Sequence, residues 1–199
     1  MGDAIFGQVD VSDEASVEHM VKATVDHYGT LDIAINNAAI TPDDKPLTET
    51  DFEYWDKLMA VDLKGVALSL KYELRQFEKE GNVGSIVNTP SASEVRPQPA
   101  NSAYVAAKYS VIGLTKNAAM DYLPKGIRIN TVAPVAIDTP MLRGAIEQCG
   151  LEPDSYAKQL SMLGRFAQAE EVAQTYLWLA SDGSSYVTGA VINVDGGYT

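Results

Sequence analysis

One cysteine, Cys149, and two histidines, His19 and His27, are all that 199 residues offer of the side chains that build disulfides and most transition-metal sites. A single thiol forms no intrachain disulfide, which excludes a disulfide-stapled secreted scaffold and favours a reduced, cytoplasmic setting. Neither histidine stands in a recognisable pattern with Cys149, so the thiol reads as a small packed side chain and no metal site is expected. Basic residues are also scarce: 15 Lys and Arg face 27 Asp and Glu, for a net charge of −12, and the cations do not cluster. A phosphate backbone is repelled by such a surface, so no nucleic-acid partner is expected. The carboxylates are scattered, with no like-charge block long enough for an acidic tail. No apolar run is long enough to cross a bilayer, and the first six residues lack the basic and apolar regions of a signal peptide. The expectation is a cytoplasmic protein with no membrane partner.

What is present is an ordinary globular balance, 46% hydrophobic and 21% charged, on a length that suits one domain spanning residues 1–199. Apolar runs of strand length alternate with segments of helical period, the pattern of an α/β fold whose parallel strands are joined by right-handed crossovers. Residues 4–9 read as a strand. Ser12 then caps a helix that places Val17, Met20, Val21, Val25 and Tyr28 on one face before Gly29 stops it. Residues 31–35 form the next strand. Residues 48–80 read as one long or two abutting helices ended by Gly81, and residues 84–89 as a strand. Residues 102–123 form a helix apolar almost all round, which implies burial on more than one side. Residues 127–132 are a further strand, the segment after Pro140 is irregular or loosely helical, residues 169–180 are an amphipathic helix, and residues 190–194 close the sheet. No repeat or linker divides the chain.

Tyr104 and Lys108 lie four apart on the long apolar helix, so their side chains project from one face a turn apart. A phenol titrates near 10 and exchanges protons poorly at neutral pH; an ammonium a few ångströms away favours its ionised form. Ser91 stands thirteen residues before Tyr104, just past the strand at residues 84–89. Open α/β sheets bind ligands at the carboxyl ends of their strands, where these three side chains can meet.

In this setting Ile86, Val87 and Asn88, then Ser91, then Tyr104, Ala107 and Lys108 resemble the catalytic segment of the short-chain dehydrogenase/reductase family. Asp10 with Val11, Asn36 with Asn37 and Ala38, Asn130 through Pro134, Ile137 with Thr139, and Gly189 through Gly197 follow the family order. The resemblance implies a Rossmann-like three-layer sandwich with a mostly parallel sheet. It implies an NAD(P)-dependent oxidoreductase that interconverts a secondary alcohol and a ketone by hydride transfer. Tyr104 would be the acid or base on the substrate oxygen, Ser91 its hydrogen-bond partner, and Lys108 the group that binds the nicotinamide ribose and tunes Tyr104. Asp10 and Val11 would face the adenine, Asn36 and Ala38 line the cofactor trough, and Pro134, Ile137 and Thr139 border the nicotinamide. The family also implies a homodimer or homotetramer, in which the helix at residues 102–123 takes part.

Four positions depart from the family pattern. Asp62 replaces the Asn that helps hold a water in the proton relay, and its charge would oppose the effect of Lys108 on Tyr104. Val135 replaces the Gly after Pro134, Pro90 stands beside Ser91, and Ala39 ends the Asn-Asn-Ala motif where Gly is usual. The chain also opens at the family's third strand, so the expected fold is truncated at its N-terminus and lacks the Gly-rich turn that holds a pyrophosphate at a helix start. Cofactor binding is therefore expected to be weak, with NAD or NADP both open. The alternative reading is a catalytically impaired relative that acts as a subunit or scaffold.

Overall fold

The computed structural model describes residues 3–91 and 99–199. Four parallel strands form one sheet in the order β1-β2-β3-β4: β1 (Ile33–Asn36), β2 (Gly84–Asn88), β3 (Ile127–Pro134) and β4 (Val191–Val194). Each neighbouring pair is joined through helices, as parallel strands require. Among the described residues seven α-helices accompany them: α1 (Glu14–Tyr28), α2 (Phe52–Met59), α3 (Gly65–Glu80), α4 (Ser102–Tyr122), α5 (Pro140–Gln148), α6 (Pro153–Leu160) and α7 (Ala169–Ala180).

Period-two alternation sorts the strands into two faces. Ile86, Ile127 and Ile129 point to one side, where they pack with Val66, Leu70, Leu74 and Phe77 of α3 and Val111, Ala118 and Ala119 of α4. Val87 and Val132 point to the other, against Val172 and Leu179 of α7, with Ile192 and Val194 of β4 beside them. The result is three layers, helices on both faces of a parallel sheet. Over β1 the α7 side is uncovered: Ala34 packs into the α3 side, while Ile33 and Ile35 are about half exposed.

Residues 4–9 form no strand, contrary to the sequence reading, and β1 pairs with β2 alone among the described residues. The physical reason lies at the end of α1. The Asp3 carboxylate meets His27, the Tyr28 hydroxyl donates to the Asp3 carbonyl, and the Ile5 N–H donates to that hydroxyl, so this segment lies along α1 instead of the edge of β1. The cap of α1 is Asp13, whose carboxylate accepts from the Ser16 N–H at 2.9 Å; Ser12 sits one residue too early. Val17 and Val21 are buried as expected, and Gly29 closes the helix at φ 86°. The helical stretch expected at residues 48–80 begins at Phe52, after a separate turn at Leu47–Glu49, and runs continuously to Glu80 through a π turn, Ala60–Lys64, which inserts an extra residue between α2 and α3. The segment after Pro140 is ordered into α5, which starts on a Thr139 cap, and α6, which starts on a Glu152 cap.

Gly84 opens β2 directly against the fully buried Phe77, and a Cβ there would enter the van der Waals envelope of the ring. Phe77 has no room to retreat. Gly84→Ala is expected to lower stability by about 1–3 kcal/mol, the usual cost of overpacking a core, as read by the midpoint of urea unfolding at unchanged m.

Candidate active site

The carboxyl ends of β1 and β2 are joined by buried amides before any reactive group is added. Asn36, the last residue of β1, donates through Nδ2 to Asn88 Oδ1 at 2.9 Å and to Glu73 Oε2 at 3.1 Å. Asn88 in turn donates to Thr115 Oγ1 at 2.9 Å, and Thr115 donates back to the Val111 carbonyl. Buried polar groups need such partners, and this relay fixes the ends of two strands against α3 and α4.

The π turn then directs Asp62 inward. Its side chain is fully buried: Oδ1 accepts from the Ile40 N–H at 2.9 Å, and Oδ2 faces the Lys108 ammonium at 3.1 Å with no other hydrogen-bonding partner. An extra residue in a helix is a common way to re-aim one side chain at a functional position. Lys108, itself buried, also donates to the Thr89 carbonyl at 3.4 Å, and its Nζ lies 5.3 Å from the centre of the Tyr104 ring. Tyr104 remains partly exposed. Ser91 is buried three residues past the end of β2, two after the carbonyl that Lys108 holds. Tyr104, Lys108 and Asp62 are thus gathered at one place, with the strand end that leads to Ser91 tied to them.

The expected cofactor residues fall into two groups. Val11, Asn36 and Ala38 line one trough together with Gly65, Val66 and Ser69, where Val11 packs so closely on Gly65 that no Cβ would fit. Pro134 ends β3, and beyond it Ile137 bridges to Ala167 while the Thr139 hydroxyl accepts from the Leu142 N–H as the cap of α5. Asp10 does not join the trough lining. Its carboxylate accepts from the hydroxyl and the N–H of Ser12, bonds that hold it below the usual carboxylate range. Val135 is buried in a cluster with Ala133, Leu160 and Tyr198, so the residue that replaces the family's Gly packs inward.

Two residues of this region carry no motif. Asp43 binds the first turn of α4, and Glu73 is a buried carboxylate that burial pushes up to about 7. Glu73 occurs within an otherwise regular amphipathic helix, and only its placement opposite Asn36 marks it.

The comparisons with known proteins agree with this geometry. A family model described as enoyl-(acyl carrier protein) reductase matches residues 1–199. A short-chain dehydrogenase/reductase, astE, of Aspergillus oryzae is 47% identical over 97% of this chain and 74% of its own length. The 2,5-dichloro-2,5-cyclohexadiene-1,4-diol dehydrogenase of Sphingobium indicum is 41% identical over all of this chain and 79% of its own. The crystal structure of levodione reductase superposes with a TM-score of 0.90 at 38% identity, covering 95% of this chain and 74% of that one. The chain therefore belongs to the short-chain dehydrogenase/reductase family, whose chemistry is the NAD(P)-dependent interconversion of alcohols and carbonyls.

Glu73 makes stability depend on pH in a definite direction. Its folded-state value of about 7 lies above the ordinary 4.5, so the folded state binds the extra proton and the contribution is full below about pH 4.5 and lost as pH rises through 7. Relative to Glu73→Gln, the native chain is expected to lose on the order of 3 kcal/mol across that interval. Urea unfolding of both proteins at pH 4.5, 6 and 8 measures it; a constant difference between them would assign the proton elsewhere.

Proposed function

We propose that this chain oxidises a secondary alcohol on a ring, or reduces the corresponding ketone, with Tyr104 as the proton donor or acceptor on the reacting oxygen. The observation that carries the proposal is the buried Lys108 ammonium, 5.3 Å from the Tyr104 ring centre and held in place by Asp62 and Thr89. An ammonium so placed stands beside the phenol and, in the family's manner, would bind the nicotinamide ribose. Ser91 holds the same substrate oxygen, and Asp62 fixes Lys108. A ring substrate is supported by the relatives' names, a cyclohexadienediol dehydrogenase and a cis-4-hydroxycyclohexanecarboxylate dehydrogenase among them.

The residues fit a nicotinamide dinucleotide in part. Val11, Asn36 and Ala38 would receive the adenine side, Lys108 the nicotinamide ribose, and Pro134, Ile137 and Thr139 the carboxamide end. When bound, the cofactor supplies or accepts the hydride; the solved structure of ElxO, with NADP bound, is 34% identical with a TM-score of 0.90. For the pyrophosphate the fit fails. The helix that follows the Asp10–Val11 segment is α1, and its N-terminus presents Asp13 as cap and Glu14 in the first turn, which repel an anion. We expect these 199 residues by themselves to hold NADH or NADPH weakly, because charge-assisted hydrogen bonds to an anion are worth roughly 1.5–3 kcal/mol each and the acidic start of α1 opposes them.

A homodimer or homotetramer is proposed as well, supported by Tyr109 and Met120 standing exposed on α4 and Leu123 just after it. Among the described residues no helix is long and apolar enough to cross a membrane.

Turnover of cyclohexanone with millimolar NADH and NADPH is the test. Tyr104→Phe removes only the hydroxyl and is expected to abolish activity, by about a hundredfold or more, with the fold intact by circular dichroism; turnover near the native rate would sink the assignment. Fluorescence titration of the unmodified chain is expected to give a dissociation constant above roughly 100 μM for either cofactor, against the micromolar values common for substrates and cofactors. Micromolar binding would show that another part of the chain receives the pyrophosphate.

A further inference from the structure

Helix α4 carries both Tyr104 and Lys108, yet it is not capped by its own flanking residue. Asn101 occupies the N-cap position at φ −121° and ψ 43°, and its side chain accepts nothing from the helix. The Asn101 amide turns outward and donates to the backbone carbonyl of Asp43. The unpaired N–H groups of the first turn are taken by the Asp43 carboxylate: Oδ2 accepts from Ala103 and Oδ1 from Tyr104, each at 3.1 Å. Beside them Lys45 and Asn101 form an isolated parallel bridge. A residue sixty positions away in sequence from Ala103 thus does what a local Ser, Thr or Asp does in most helices.

One of the two captured amides belongs to Tyr104 itself. The first turn is where a helix frays, and a phenol that must meet a substrate oxygen within a few tenths of an ångström cannot sit on fraying backbone. The chain enters this turn under strain, since Ala100 has φ 62°, a region that L-residues rarely adopt. Asp43 also lines a cleft of about 250 Å³ with Tyr54, Trp55, Gln148 and Ala103, the residue before Tyr104 and the other one whose amide Asp43 binds.

We propose that Asp43 is a positioning residue for the reaction: by binding the Tyr104 and Ala103 amides it fixes the phenol relative to Lys108 and Asp62. The effect on turnover rests on the acid–base reading of Tyr104; the effect on its position does not.

The test uses the whole chain labelled with tyrosine carrying ¹³C at Cζ, in which the Tyr104 resonance is identified by its absence from Tyr104→Phe. In Asp43→Ala this resonance moves or broadens while those of Tyr122 and Tyr176 stay in place, and the Ala103 and Tyr104 amides exchange at least roughly tenfold faster. Asp43→Asn keeps one acceptor and changes both readouts less. With cyclohexanone as probe, kcat of Asp43→Ala falls roughly tenfold and the KM for cofactor moves less than about twofold. A Tyr104 resonance unmoved in a folded Asp43→Ala overturns the proposal. Should that variant not fold, Asp43→Asn is judged by the same resonance. Should Tyr104→Phe retain turnover, the acid–base reading fails while the resonance still decides the role of Asp43.

Discussion

The Lys108 ammonium, buried in the protein and 3.1 Å from the equally buried Asp62 carboxylate, is the interaction on which the rest of the site depends. Neither charge tolerates the low-dielectric interior alone; removing one partner of such a pair typically costs about 3–5 kcal/mol because the other is stranded. To bring them together the chain needs a π turn after α2, a loop after β1 that offers the Ile40 N–H to Asp62, and a β2 end that offers the Thr89 carbonyl to Lys108. Tyr104 inherits its surroundings from that arrangement. The exchange of the family's Asn for Asp62 turns a neutral relay position into half of an ion pair.

Around this pair, the three strand ends contribute different things. β1 and β2 are joined by the Asn36–Asn88–Thr115 relay, with Glu73 on its other side, so the floor of the site is polar, satisfied and rigid. β3 runs past the end of β2, level with β4 at Pro134, and hands the chain to the segment of Ile137 and Thr139, which is anchored by its bridge to Ala167. The β1 side is the least enclosed. Ile33 and Ile35 lie open and the outer edge of β1 is unpaired among the described residues, the state of strand that commonly accepts another backbone.

That Tyr104 and Lys108 lie together was legible because they are neighbours on one helix, where four residues of spacing translate directly into shared facing. Ser91 was pointed to by its place just past β2 and by the family resemblance. The failures share a cause. The strand expected at residues 4–9 has the right composition, but a strand exists only where a partner ladder is within reach, and three contacts to the last turn of α1 place this segment elsewhere. Ser12 is a good capping residue by type, as is Asp13, and only the backbone geometry gives the role to Asp13.

By itself, the sequence determined the α/β class and the helix that bears Tyr104 and Lys108, which rest on periodicity and spacing within a few turns of chain, and it pointed to the family through the resemblance of its motifs. Only the tertiary structure decided that Asp62 pairs with Lys108 across forty-six positions, that Glu73 titrates near neutrality and that Asp43 caps α4 from sixty positions away. The reason is physical: spacing along the chain sets which side chains share a face, but burial and the approach of distant segments set how strongly a charge is desolvated and which hydrogen-bonding groups are left for it to find.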